Sequence, residues 1–218
     1  MAIGESVPML DAVARVTGTV EYMVNLRLPG MLVGRVVRST APHARLLKVD
    51  AGQAEKVPGV VAVLTRADLG PSAGMGMPYY GIGMPYYGVA IKDQGVVAID
   101  RVRFVGEHVA AVAAESLEAA EEAALLVDVE YDELPAVFDA LEAIRPGAPT
   151  LHDQFPNNIF KHAKLRHGDI EAAFAEAGEV FEDTFTSPPA QQTSLEPHAV
   201  AAQWDGDRLT VWTASQAP

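Results

Sequence analysis

Apolar and polar positions along this 218-residue chain fall into short blocks with different periods. Residues 32–37 (LVGRVV) and 60–64 (VVAVL) are continuous β-branched apolar runs, which predicts strands buried largely on both faces. Between them, Asp50 is placed to cap a short helix reaching Lys56, with Pro58-Gly59 as the stop. Residues 96–99 and 109–113 read as further strands. Ser116 then opens the clearest helix, SLEAAEEAALL. Its Glu118, Glu121 and Glu122 share one face at three- and four-residue spacing, while Leu117, Ala120 and Ala124 line another. The small alanines predict a helix lying close against a sheet. Residues 127–131 (VDVEY) follow as a strand with Val127, Val129 and Tyr131 on one side.

The pattern changes after residue 132. Residues 133–160 carry four prolines (Pro135, Pro146, Pro149 and Pro156) and a single short helix around 139–144, the signature of a connector over a surface. Asp169 caps a second helix, IEAAFAEA, stopped by Gly178. Residues 180–186, 199–204 and 209–213 are strand-like. Asp205-Gly206 marks a hairpin between the last two, with Asp207 lengthening its loop. The fold class expected is α/β of the α+β type: mixed sheet and short helices over 1–132, a connector over 133–160, and an incomplete β-rich unit over 161–218. That last unit would leave an edge strand and two tryptophans without a covering layer, so another segment is expected to complete it.

Composition narrows the partners. The net charge of −13 disfavours phosphate backbones and anionic membranes, excluding nucleic acid and lipid as expected partners. With no cysteine, the chain itself holds no disulfide, no thiolate metal site and no iron–sulfur cluster. The N-terminus lacks a basic start followed by an apolar run, and no stretch approaches the roughly 18 apolar residues of a membrane span. A soluble, cytoplasmic protein is expected.

Candidate chemistry is sparse. GMPYYG occurs twice in residues 74–88, seven residues apart. Its glycines miss the phosphate-binding spacing, and Pro78 and Pro85 break a helix start, so it reads as a surface loop with a local duplication. The six histidines (His43, His108, His152, His162, His167 and His198) show no two-ligand helical spacing. Lys161, Lys164 and Arg166 around His162 and His167 would repel a cation. Glu196-Pro197-His198 could move a proton but reads better as a structural corner, because proline fixes the backbone. Arg101, Arg103 and Glu107 read as solvated or interface charges.

Several stretches together resemble the large subunit of the molybdenum hydroxylases, the xanthine dehydrogenase/aldehyde oxidase family. Residues 16–50 carry Val-Thr-Gly, a tyrosine, Leu-Pro-Gly-Met-Leu, Arg-Ser, and Pro-His-Ala before an aspartate. Residues 57–69 (VPGVVAVLTRADL) are similar to the family's next segment. Residues 102–137 match best, with Val-Gly-Glu, Val-Ala repeats, the alanine-rich helix and Val-Glu-Tyr-x-x-Leu-Pro. Leu195-Glu196-Pro197-His198-Ala199 and the stretch from Trp212 to Gln216 resemble the start of the molybdenum-binding portion. Residues 11–15 depart from the family's usual Asp-Gly and lysine, and residues 39–42 carry an extra residue. Both departures are expected to fall in loops.

The resemblance implies that residues up to about 132 form an α/β hammerhead domain and the rest begins a molybdopterin-binding domain. It implies an oxidoreductase that hydroxylates an aldehyde or an N-heterocycle. Such a site uses molybdopterin as the cytosine dinucleotide, with [2Fe-2S] clusters and FAD on partner chains. The implied partners are a C-terminal molybdenum-binding chain, an iron–sulfur subunit and a FAD subunit. Gln216 matches the glutamine whose amide approaches an oxygen ligand on molybdenum. The family's glycine-rich segment, pterin loops and catalytic glutamate have no counterpart in these residues, so the chain is expected to be a fragment or split subunit, inactive alone. The alternative is a non-catalytic binding or assembly module reusing the hammerhead domain.

Overall fold

The computed structural model describes residues 4, 6–69, 86–87 and 94–214. They form two compact units: residues 31–167, and residues 1–30 together with 168–218.

The unit of residues 31–167 is built on two three-stranded antiparallel sheets. Strands β1 (Val33–Arg38), β7 (His108–Ala114) and β3 (Val60–Leu64) form one, with β7 central. Strands β6 (Arg101–Val102), β2 (Ala44–Asp50) and β8 (Asp128–Glu133) form the other, with β2 central. Strands β4 (Tyr86–Tyr87) and β5 (Gln94–Gly95) make a two-residue pairing. The GMPYYG repeat otherwise lies outside the described residues.

Helix α2 (Leu117–Leu125) packs on the first sheet, as expected from its alanines. Ser116 accepts a hydrogen bond from the Ala119 amide, satisfying one free donor of the first turn. Of the expected apolar positions, Ala120 is buried and Ala124 packs partly buried against the core, joined by the buried Ala119 and Ala123, while Leu117 is exposed. Methyl groups alone separate helix from sheet, and the larger Leu117 at the first position is left outside. These alanines join Ala54, Val57, Val63, Ala110, Val112, Ala114 and Val127 in one core. A second core gathers Ala41, Ala44, Leu46, Ala98, Val102 and Val109.

Three expectations need correction. β1 and β3 are covered on one face only, since among the described residues no helix layer lies across the other: Val36 and Val61 remain exposed. Residues 96–99 are not a strand. The chain doubles back at Gly95, where a Cβ would stand 2.5 Å from the Val97 carbonyl oxygen, and Ala98 then donates to the His108 carbonyl at 2.7 Å. The capped helix after Asp50 reduces to a 3₁₀ turn, Ala54–Lys56, because the Asp50 carboxylate instead accepts from Gly52 in a local turn.

The connector is pinned rather than free. Helix α3 (Ala140–Ala143) is capped by Asp139, which accepts from the Leu141 and Glu142 amides. Asn158, at φ 57°, donates to the carbonyls of Ala143 and Pro149, both at 2.9 Å, and accepts from Leu151 at 3.1 Å.

In the other unit, residues 12–17, expected as part of a loop, form α1 (Ala12–Thr17), which ends at Gly18, whose φ of 71° lets its amide reach the carbonyls of Ala14 and Arg15. A 3₁₀ turn, Met23–Asn25, follows. α4 (Ile170–Glu176) is capped by Asp169 as expected. Strands β9 (Val200–Asp205) and β10 (Arg208–Thr213) close the described chain. Residues 180–186 form no strand: they have no partner strand among the described residues, and Phe181 and Phe185 stand in solvent.

Candidate functional site

The β9–β10 hairpin is the most regular element of its unit. It pairs antiparallel from Val200 opposite Thr213 to Asp205 opposite Arg208. The loop is only Gly206-Asp207, shorter than expected. Gly206 at φ 56° supplies the left-handed residue a two-residue turn needs to match strand twist. Alternation divides its faces. Ala201, Thr210 and Trp212 are partly covered, whereas Val200, Trp204, Leu209 and Val211 are exposed on the other face, Trp204 by 68%. A sheet face presenting four large apolar side chains to water is a surface for another segment to cover.

The chain enters β9 through a held corner. Thr193 adopts φ 46°, a left-handed conformation that a β-branched residue rarely takes. The Ser194 hydroxyl donates to the Glu196 carbonyl at 3.0 Å. The Glu196 carboxylate accepts a hydrogen bond from the Met23 amide at 3.2 Å, joining residues 173 apart in sequence. This agrees with the corner reading of Glu196-Pro197-His198; the His198 side chain itself is exposed. On the N-terminal side, the Arg15 guanidinium pairs with Asp11 at 2.7 Å, and this bond holds Arg15 above its ordinary pKa. Residues 21–23 and 25–27 line an open cavity of about 530 Å³, and the Tyr22 hydroxyl is buried without a partner. The Met23–Glu196 contact had no sequence signal, because neither residue type nor local spacing marks a pairing across the chain.

Gln216 lies outside the described residues, three positions after the last residue of β10. The other sequence candidates are scattered. His43 is 4% exposed, its Nδ1–H donating to the Pro135 carbonyl at 2.8 Å, while Nε2 is buried without a partner. That makes it a core histidine of residues 31–167. His162 and His167 are exposed. Among the described residues, no group of three His, Cys, Asp or Glu could hold a metal ion.

Arg101, Arg103 and Glu107 are not solvated charges. Glu107 is 4% exposed and accepts from the Arg103 amide at 2.6 Å. Arg103 donates to the Leu151 carbonyl and Arg101 pairs with Asp153, so both tie the connector down. The alkyl stems of the two arginines, with a carbonyl partner for Arg103, a carboxylate for Arg101 and an amide for Glu107, make burial cheap in a way that charge counting does not reveal. A second cleft of about 630 Å³ lies between β1, α2 and β8. Its Arg35 pairs with Glu121 at 2.8 Å, and Arg38 donates to the Gly106 carbonyl, leaving no converging catalytic group among the described residues. Among the described residues no helix is long and apolar enough to cross a membrane.

Comparison with known proteins brings these observations together. Residues 17–135 match the family described as aldehyde oxidase and xanthine dehydrogenase, a/b hammerhead domain, and residues 151–218 match the molybdopterin cofactor-binding domain. The chain is 39% identical over 207 residues to a probable xanthine dehydrogenase subunit of Bacillus subtilis, covering 94% of this chain and 26% of that protein. It is 32% identical to the nicotinate dehydrogenase large molybdopterin subunit of Eubacterium barkeri, covering 99% of this chain and 48% of the other. The quinoline 2-oxidoreductase structure from Pseudomonas putida 86 superposes with a TM-score of 0.81 at 31% identity, across 99% of this chain and 27% of that one. The chain thus spans about a quarter to a half of the length of these relatives.

Proposed function

The chain belongs to the aldehyde oxidase and xanthine dehydrogenase family of molybdenum enzymes, and from that premise we propose that it forms one wall of a molybdenum hydroxylase site. In this reading residues 1–132 are the hammerhead domain, 133–160 the connector and 161–218 the first segment of the cofactor-binding domain. The chain is inactive without the remaining cofactor-binding portion. The substrate is an aldehyde or an N-heterocycle, the cofactor is the cytosine dinucleotide of molybdopterin, and [2Fe-2S] and FAD reside on partner chains in the cytoplasm.

One observation carries this reading: a well-paired hairpin with an exposed apolar face ends three residues before Gln216, inside the stretch that matches the molybdopterin cofactor-binding domain. The cofactor, when bound, supplies the oxidising chemistry of hydroxylation. The chain's own part is orientation. The Gln216 amide would donate a hydrogen bond to the bound cofactor, the kind of supporting contact whose loss costs roughly 10- to 100-fold in activity. The hairpin's apolar face is buried by the rest of the assembly and keeps water from that side.

In the assembled enzyme, Gln216→Ala should lower kcat by about that factor with the melting temperature unchanged. The isolated chain should bind no molybdenum. An unchanged rate removes Gln216 from the site, and stoichiometric metal on the isolated chain refutes the wall.

A further inference from the structure

Strand β1 ends its sheet on one side: it pairs with β7 and, among the described residues, with no second strand. Its outer edge offers backbone N–H and C=O groups along six residues, about 20 Å of extended chain. That edge borders the cleft of about 630 Å³ between β1, α2 and β8. Four successive residues of β1, Arg35 to Arg38, line the cleft. A strand that turned its face to the cleft would contribute every second residue, so β1 stands there edge-on. From β8 and the residue before it come Val127, Val129 and Tyr131, alternate positions that present an apolar face. The last turn of α2 adds Ala124 and Leu125, and Leu125 is 86% exposed.

An unpaired strand edge beside an apolar floor suits an extended segment. Such a segment adds a strand through its main chain and lays alternate side chains on the floor. Charge sharpens the description. Arg35 is already paired with Glu121, whereas Arg38 donates to the Gly106 carbonyl and has no carboxylate partner among the described residues. In a chain of net charge −13, a guanidinium left without a counter-charge at one end of an apolar cleft is complementary to a carboxylate on the incoming segment.

We propose that the β1 edge is a strand-addition site for a partner chain. An extended segment of about five or six residues pairs with Val33–Arg38, sets apolar side chains at alternate positions against Val129, Tyr131 and Leu125, and meets Arg38 with a carboxylate. The partner is a chain of the assembly invoked above, so the proposal rests on that reading, but its surface belongs wholly to residues 31–167.

The test needs no turnover. Hydrogen exchange at the amides of residues 33–38 is compared between the isolated chain and the assembled enzyme, and the edge amides should exchange at least about tenfold more slowly in the assembly. With p-benzoylphenylalanine in place of Val36, irradiation should join this position to an acidic stretch of another chain with alternating apolar residues, located by mass spectrometry of the digest. Arg38→Glu and Leu125→Asp should each weaken association of the chain with the rest of the assembly by about tenfold, and Arg38→Lys, which keeps the charge, by less. Leu125 is exposed, so its variant should keep the urea midpoint of the isolated chain, which separates docking from folding. Equal exchange in the two states, cross-links confined to this chain or a second copy of it, or full-strength association of both variants overturns the proposal. An assembly that hydroxylates its substrate while the β1 edge exchanges freely refutes the docking site and leaves the proposed function standing. One in which Gln216→Ala keeps the full rate refutes that function, while exchange and cross-linking still decide the docking site.

Discussion

Asn158 offers the sharpest test of how the connector is held. Its side chain makes three hydrogen bonds within the loop, to the Ala143 and Pro149 carbonyls and from the Leu151 amide, while its backbone stands at φ 57°. Each bond contributes about 1 kcal/mol net. The residue is only partly buried, so water recovers some of that, and about 2 kcal/mol is expected for the three together. The left-handed backbone adds about 1 kcal/mol when asparagine gives way to a residue that tolerates it poorly. Asn158→Ala should therefore destabilise by about 3 kcal/mol and Asn158→Gly, which keeps the backbone at ease, by about 2. Asn158→Asp keeps the acceptor for Leu151 and loses both donors, so it should fall near the glycine variant. Urea unfolding of the whole chain followed by far-UV circular dichroism gives the three values, and hydrogen exchange at the Leu151 amide reports the local opening. If alanine and glycine match the natural residue within error, the clamp does not hold the connector.

The remaining expectations concern pH and packing. Burial, and then the Arg38 charge, press the His108 imidazole below its ordinary pKa, so the neutral form belongs to the fold. Its contribution to stability is present above the unfolded histidine value near 6.5 and is lost as pH falls. His108→Gln should flatten the melting temperature between about pH 7 and pH 5, and an unaltered slope there would refute the assignment. The Asp68 carboxylate is held low by the Thr65 amide and then the Thr65 hydroxyl, at 2.7 and 2.9 Å. Its contribution is present above the ordinary carboxylate pKa and lost below it, so Asp68→Asn should remove acid sensitivity only under about pH 4. Ala120 is fully buried between helix and sheet, and Ala120→Leu should cost about 1–3 kcal/mol by overpacking, measured by the same urea transition.

What was legible in the sequence follows physical range. The α2 helix, its Ser116 cap, the Asp169 cap and the terminal hairpin were readable because each depends on residues within a turn or two. The buried face of α2 was read rightly at Ala120 and Ala124 and wrongly at Leu117, because only the sheet beneath decides how far the buried stripe extends. The run at 180–186 is strand-like in residue type, but a strand needs a neighbour, and residue type says nothing about one. Arg103 and Glu107 looked solvated because charge implies water until a particular carbonyl or amide is brought near. The site is less legible still. The role of Gln216 came from resemblance alone, and the Met23–Glu196 bond exists only because folding joins two ends of the chain.

Strand β7 serves two masters. Val109 enters one core, while Ala110, Val112 and Ala114 enter the other. Most strands on a sheet with one wet side leave every second position free to drift through mutation. This one loses that slack at its start, where neighbouring Val109 and Ala110 enter different cores, and regains it at the partly covered Ala111 and Ala113. Losing one core would uncover the backbone that supports the other, so the two sheets of residues 31–167 should melt in a single cooperative event. A substitution scan along 109–114 would then show adjacent intolerant positions at Val109 and Ala110, followed by alternation, with relief at Ala111 and Ala113.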